Sequence, residues 1–239
     1  AAFSGHQDGG VILLNSRGEI LQRVTKPEGA IGMDLAWFPI GNRIIAVEHS
    51  GSVWDGSLPE HLVMYDFSTG ERIPFYVNDG FSITEVIVSK SGDIFFTGGP
   101  AGKEYLGKGF VLYQMNPDTK EIIELTRGPR QIELIDNDRK IVFSGSLRIF
   151  GHLISPWVLG VYDLKTGFTR YISLWAGDIR QMTVVQDGKY LITAEGEGDA
   201  VVLYKRSLLG GFKRPIMKPE KLAHLNGFPS QDQYPDWTA

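Results

Sequence analysis

Met182-Thr-Val-Val-Gln-Asp-Gly-Lys-Tyr-Leu-Ile-Thr193, followed by Val201-Val-Leu-Tyr-Lys-Arg-Ser207, reads as three short strands in series. The first two pair as a hairpin. The same unit recurs upstream as Met33–Val47, Thr84–Thr97 and Ile132–Ser144. A second kind of hairpin alternates with it. Its first strand ends in a turn at Val11-Ile-Leu-Leu-Asn-Ser-Arg-Gly-Glu19, Val63-Met-Tyr-Asp-Phe-Ser-Thr-Gly-Glu71, Leu112–Glu121 and Gly160–Phe168, and a short strand follows, as in Glu71–Val77, Glu121–Leu125 and Phe168–Leu174.

Two alternating hairpins make four antiparallel strands per period of 40 to 50 residues. A four-stranded unit repeated at that spacing, each burying its faces against its neighbours, is the signature of a β-propeller. The repeat resembles the broad propeller group with tryptophan-aspartate-like or YVTN-like blades, most plainly in Gln186-Asp-Gly-Lys-Tyr-Leu-Ile-Thr-Ala194 followed by Val201–Tyr204. That resemblance implies an all-β fold.

The blade count follows from the ends. Gly227–Ala239 looks like a first strand with its turn, and Ala1–Gly5 matches Phe95–Gly98 and Val142–Gly145, which follow that turn in other blades. The expectation is therefore one domain, residues 1–239, folded as a five-bladed propeller. The N- and C-terminal strands close the ring, with 225–239 and 1–24 forming one blade. The other blades fall at about 25–77, 78–126, 127–174 and 175–217. A ring closed in this way removes the open sheet edge. The abrupt ends also permit a piece of a larger propeller. A single helical turn is expected around Pro219–Leu225.

Composition narrows the function classes. With 239 residues, 42% hydrophobic, 22% charged and a net charge of −4, the chain has the balance of a globular domain. No apolar run reaches the length of a membrane span. The mild acidity, without a basic stripe, argues against nucleic acid or an anionic membrane surface; the nearest exception is Lys213-Arg214 with Lys218 and Lys221, read as a solvated loop. The absence of cysteine removes disulfides and thiolate metal sites. A soluble chain is expected, compatible with the mature form of a secreted or periplasmic protein.

Glycines precede each first strand at Gly29, Gly80, Gly128, Gly177 and Gly227, and five residues on stand Asp34, Glu85, Glu133, Met182 and Asp232. An acid in an apolar strand must be paired, metal-bound, neutralised or solvated. If innermost strands gather these four acids around one channel, they form a candidate site for a divalent cation such as calcium, or a catalytic carboxylate pair. The alternative is a relic of duplication, each acid satisfied by backbone amides or by an arginine such as Arg130 or Arg180.

Long connections expected on one rim carry the other candidates. His49 to His61 contains Trp54, Gly98 to Lys108 contains Tyr105, and Gly145 to Trp157 contains Arg148, Phe150 and His152, with Trp175 on the next link. Clustered aromatics beside an arginine look like a docking surface for a protein or a carbohydrate; the alternative is a local apolar plug. The histidines do not recur at one blade position, and no nucleophile elbow, zinc helix or phosphate loop is present. Two readings stand. One is a non-catalytic binding or assembly module with a protein partner; the other is a hydrolase, glycosidase or metal-dependent lactonase-like, using the channel acids.

Overall fold

The computed structural model describes residues 2–5, 10–25, 30–50, 60–78, 81–100, 110–149, 152–185, 188–197, 200–209 and 212–216. All of them are strand, turn or irregular backbone, and no helix occurs among them. The expected helical turn at Pro219–Leu225 and the expected closing strand in 225–239 lie outside the described residues. By contacts the chain falls into two compact units, Ala1–Arg127 with Pro235–Ala239, and Gly128–Tyr234.

The first unit holds three antiparallel sheets. β1 (Ala2–Gly5), β2 (Gly10–Leu14) and β3 (Ile20–Thr25) make a three-stranded sheet in sequence order. β4 (Ala30–Trp37), β5 (Arg43–Ser50), β6 (Glu60–Asp66) and β7 (Glu71–Asn78) make a four-stranded one, and so do β8 (Phe81–Val88), β9 (Ile94–Pro100), β10 (Val111–Met115) and β11 (Ile122–Arg127). The second unit holds two more four-stranded sheets. One is β12 (Pro129–Ile135), β13 (Lys140–Ile149), β14 (His152–Asp163) and β15 (Thr169–Ser173); the other is β16 (Asp178–Val185), β17 (Tyr190–Glu197), β18 (Ala200–Ser207) and β19 (Lys213–Pro215).

Within each unit the sheets pack face to face through alternate side chains. Val11 and Val24 of the first sheet meet Leu35, Ile44, Val63 and Tyr65 of the second. On its other face the second sheet gives Ile45, Val47 and Leu62 to Ile83, Val86, Phe96 and Met115 of the third. In the second unit Val142, Leu159 and Val161 pack on Ile179, Leu191 and Leu208. The buried Phe143 ring lies over Gly160, where an added Cβ would come within 2.5 Å of it, so the third strand has room only for glycine there.

The turns into the last strands of four of these sheets share one design. Asn15, Asp66, Asn116 and Asp163 each accept backbone N–H groups two or three residues on. Gly18, Gly70 and Gly167 take the positive φ that follows; Lys120 stands in that place in the third sheet, at φ 61°, with its ammonium over the Phe75 ring. Each four-stranded sheet also has a register shift early in its first strand, between Gly32 and Asp34, Ile83 and Glu85, Pro129 and Gln131, and Ile179 and Gln181. This repeated β-bulge re-aims the residues after it.

Candidate functional site

The bulge decides which first-strand residues are equivalent. Immediately after it stand Asp34, Glu85, Gln131 and Gln181, opposite Val47, Thr97, Ser144 and Ala194 of the second strands. Glu133 lies two residues further on, opposite Val142, on the rung that Ala36, Ile87 and Thr183 hold elsewhere. Counting from the preceding glycine places Glu133 with Asp34; the register places Gln131 there.

Side chains on this rung reach the next sheet. Asp34 Oδ2 accepts a 2.6 Å hydrogen bond from the backbone N–H of Val86 on β8. In the second unit the Gln131 side-chain amide donates to the Arg180 carbonyl on β16, while its oxygen accepts from Ser144 Oγ at 2.9 Å. A polar residue here satisfies the open backbone edge of a neighbouring first strand. Arg180 itself pairs with Asp178 at 3.3 Å. The Glu133 carboxyl has no such bond among the described residues, and burial pushes it up to about 7. Asp232 lies outside the described residues. Among the described residues no three His, Asp or Glu side chains come close enough to share a cation.

A different pair of acids is more deeply buried. Glu48 on β5 and Glu195 on β17 hold the same rung of their second strands, where β9 and β13 have Gly98 and Gly145. Glu48 lies opposite His61 in register, but its carboxylate accepts from Tyr65 Oη and from Arg72, the latter at 2.5 Å. Burial, then the bond to Glu48, holds the Tyr65 hydroxyl well above the ordinary phenol range. Glu195 accepts from Arg206 Nε at 2.8 Å, Thr193 Oγ1 at 2.6 Å and Lys213 Nζ at 3.1 Å. The only signal in the sequence was an acid one residue after a Val or Ala in an apolar second strand.

Of the rim candidates, Trp54, Tyr105 and Phe150 lie outside the described residues. His49, Arg148 and His152 fall at the ends of β5, β13 and β14, and His61 is partly buried on β6. The segments that carry Trp157 and Trp175 meet through the backbone. The Ala176 N–H donates to the Trp157 carbonyl at 2.9 Å, and the buried Ser155 hydroxyl donates to the Leu174 carbonyl at 2.6 Å. The Arg206 guanidinium donates to the Ala176 carbonyl, so the backbone on both sides of Trp175 is fixed. Trp175 is 74% exposed; Leu174 beside it in the chain, and Leu153 and Ile154 at the start of β14, are about half exposed. The contact of β14 with this link was not anticipated, because nothing in the sequence shows that Ser155 and Trp157 lie beside the link to β16.

No protein-family model matches the sequence, and no curated protein matches it. Among solved structures the chain is similar to an oligogalacturonate lyase in complex with manganese, with TM-score 0.66 and 13% identity over 91% of this chain and 62% of that one. It is similar also to a nidogen/laminin complex, with TM-score 0.67 and 12% identity over 91% of this chain and 78% of that one. TolB from Acinetobacter baumannii gives TM-score 0.50 and 16% identity over 92% and 64%. The chain thus spans less than two thirds of the lyase and of TolB. The likeness is one of fold, and the fold is that of the β-propeller proteins, all-β with four four-stranded antiparallel sheets among the described residues.

Proposed function

We propose that this chain is a non-catalytic β-propeller binding module that docks a protein partner on the patch around Trp175. The carrying observation is that Trp175 is 74% exposed while Leu174 and Ala176 are both tied down. A large aromatic displayed on a fixed backbone loses little freedom on binding, and tryptophan is over-represented among residues that dominate interfaces. Leu153, Ile154 and Leu174 supply the surrounding apolar area. One of the similar folds was solved as a complex of nidogen with laminin, which supports a protein partner by analogy of fold alone. In the same reading residues 225–239 add the first strand of the β1–β3 sheet, giving five blades, a closed ring and a single domain.

The test compares proteins crosslinked through a photoreactive residue at Leu174 in the parent and in Trp175→Ala, followed by titration with the purified captured protein. Binding lost at least tenfold in Trp175→Ala but kept in Leu21→Ser, another exposed apolar site, on β3, supports the reading. Equal binding by both variants overturns it.

Glu133 favours a second reading, hydrolysis with first-strand carboxylates, because a carboxyl held at about 7 suits a general acid. Asp232, which belongs to the same unit, would be its companion acid. Turnover of lactones or aryl glycosides that disappears in Glu133→Gln, together with a metal found on elemental analysis, would support it; no turnover by the parent chain removes it.

A further inference from the structure

Leu209 and Phe212 are the most exposed large apolar side chains among the described residues, at 87% and 81%. They flank the turn between β18 and β19, and Ile216, at the end of β19, is half exposed as well. The turn is closed by the Ser207 N–H donating to the Phe212 carbonyl at 3.1 Å. Its base is anchored: Leu208 is buried in the core, its N–H donates to the Lys189 carbonyl at 3.2 Å, and its carbonyl accepts from Arg170 at 3.3 Å.

The hairpin's own charged residues have one sign. Ala200 to Ile216 contains Lys205, Arg206, Lys213 and Arg214 and no acid. Arg206 and Lys213 are matched by Glu195. Lys205, whose ammonium lies over the Tyr190 ring at 3.9 Å, is directly opposite Arg214 across the two strands, a like-charge neighbour that a sheet ordinarily avoids. Lys189 and Arg170, both exposed, stand beside the anchored Leu208. The acidity of the whole chain conceals this local excess.

We propose that the β18–β19 hairpin tip docks this protein on an anionic lipid bilayer. Leu209 and Phe212 enter the boundary between headgroups and acyl chains. At about 3.4 Å per residue, Arg214 sits roughly 7 Å behind Phe212, and interfacial apolar elements bury about 5–10 Å, so the cations meet the lipid phosphates. The apolar side chains project from a turn instead of lining a groove, which suits a fluid surface better than a peptide helix or strand.

The experiment is flotation of the full chain with vesicles of phosphatidylcholine alone or with about a third phosphatidylserine. The expected result is binding to the phosphatidylserine vesicles at least tenfold above phosphatidylcholine, weakened by raised salt. It falls tenfold or more in Leu209→Ser/Phe212→Ser and severalfold in Arg214→Glu, both with parental melting temperatures. Absence of phosphatidylserine-dependent binding, or binding that both variants retain, overturns the proposal. So does a tip-dependent interaction with soluble polyglutamate and none with vesicles, which would assign the surface to an acidic protein chain. Loss of folding in the double serine variant is met by Phe212→Trp, whose added indole must shift its emission to the blue on phosphatidylserine vesicles; an unchanged emission counts against docking.

Discussion

The carboxylate of Asp34 accepts a 2.6 Å hydrogen bond from the backbone N–H of Val86, joining the first strands of two successive sheets. β8 is the edge of its sheet, with β9 on its other side, so this amide faces away from its own ladder. A single carboxylate oxygen therefore does for one sheet edge what Gln131 does for another through the Arg180 carbonyl.

Asp34→Leu removes that acceptor and leaves a part-buried amide without a partner, which costs about 1–3 kcal/mol. Asp34→Asn keeps an oxygen in place and costs a fraction of that. Urea denaturation of both variants measures the difference, and a Leu variant as stable as the parent would show that water replaces the carboxylate.

The Arg206–Glu195 pair is nearly inaccessible to solvent, with side chains 3% and 2% exposed and Nη2 to Oε1 at 2.6 Å. Removing the arginine strands a buried carboxylate, so Arg206→Met loses about 3–5 kcal/mol. Adding Glu195→Gln to that variant recovers part of the loss, because the uncompensated charge goes with it. Lys213 bonds the same carboxylate at 3.1 Å but is 40% exposed, and Lys213→Met costs below about 1 kcal/mol. A double-mutant cycle by calorimetry checks the ordering; equal costs for Arg206→Met and Lys213→Met would contradict it. Since Arg206 also holds the Ala176 carbonyl, Arg206→Met weakens docking at Trp175 as well.

The strands and their grouping in fours were legible because every turn announces itself locally, as at Asp163 and Gly167, where side chain and φ settle the chain reversal within five residues. Equivalence along the first strands was not legible. The bulge residue comes two residues after the preceding glycine in β12, at Arg130, but four after it in β8, at Thr84, so equivalent positions are offset by two residues along the same face. Counting therefore selects Glu133 where the ladder selects Gln131. Glu48 and Glu195 escaped notice for another reason. Their partners Arg72 and Arg206 lie 24 and 11 residues away, and no local pattern distinguishes a buried ion pair from a polar strand end. The patch at Trp175 was half visible, since aromatics in long loops are conspicuous while Leu153 and Ile154 look like ordinary strand residues.

Glu133 sets how stability varies with pH. Burial raises its carboxyl from 4.5 to about 7 in the folded chain, so between those values the folded state holds a proton that the unfolded state has released. Stability is then greatest below about pH 4.5 on this account, falls as pH rises toward 7, and is flat above. At about 1.4 kcal/mol per pH unit, and allowing for the part of the side chain that touches water, the fall is about 2–3 kcal/mol. Glu133→Gln removes the charge without changing the shape, so it abolishes this slope and is more stable than the parent at pH 8 by a similar amount. Guanidinium melts of both proteins at pH 5, 6, 7 and 8 decide the matter. Parallel curves for parent and variant would mean that Glu133 ionises freely in the folded chain, and the general-acid reading would lose its one supporting observation.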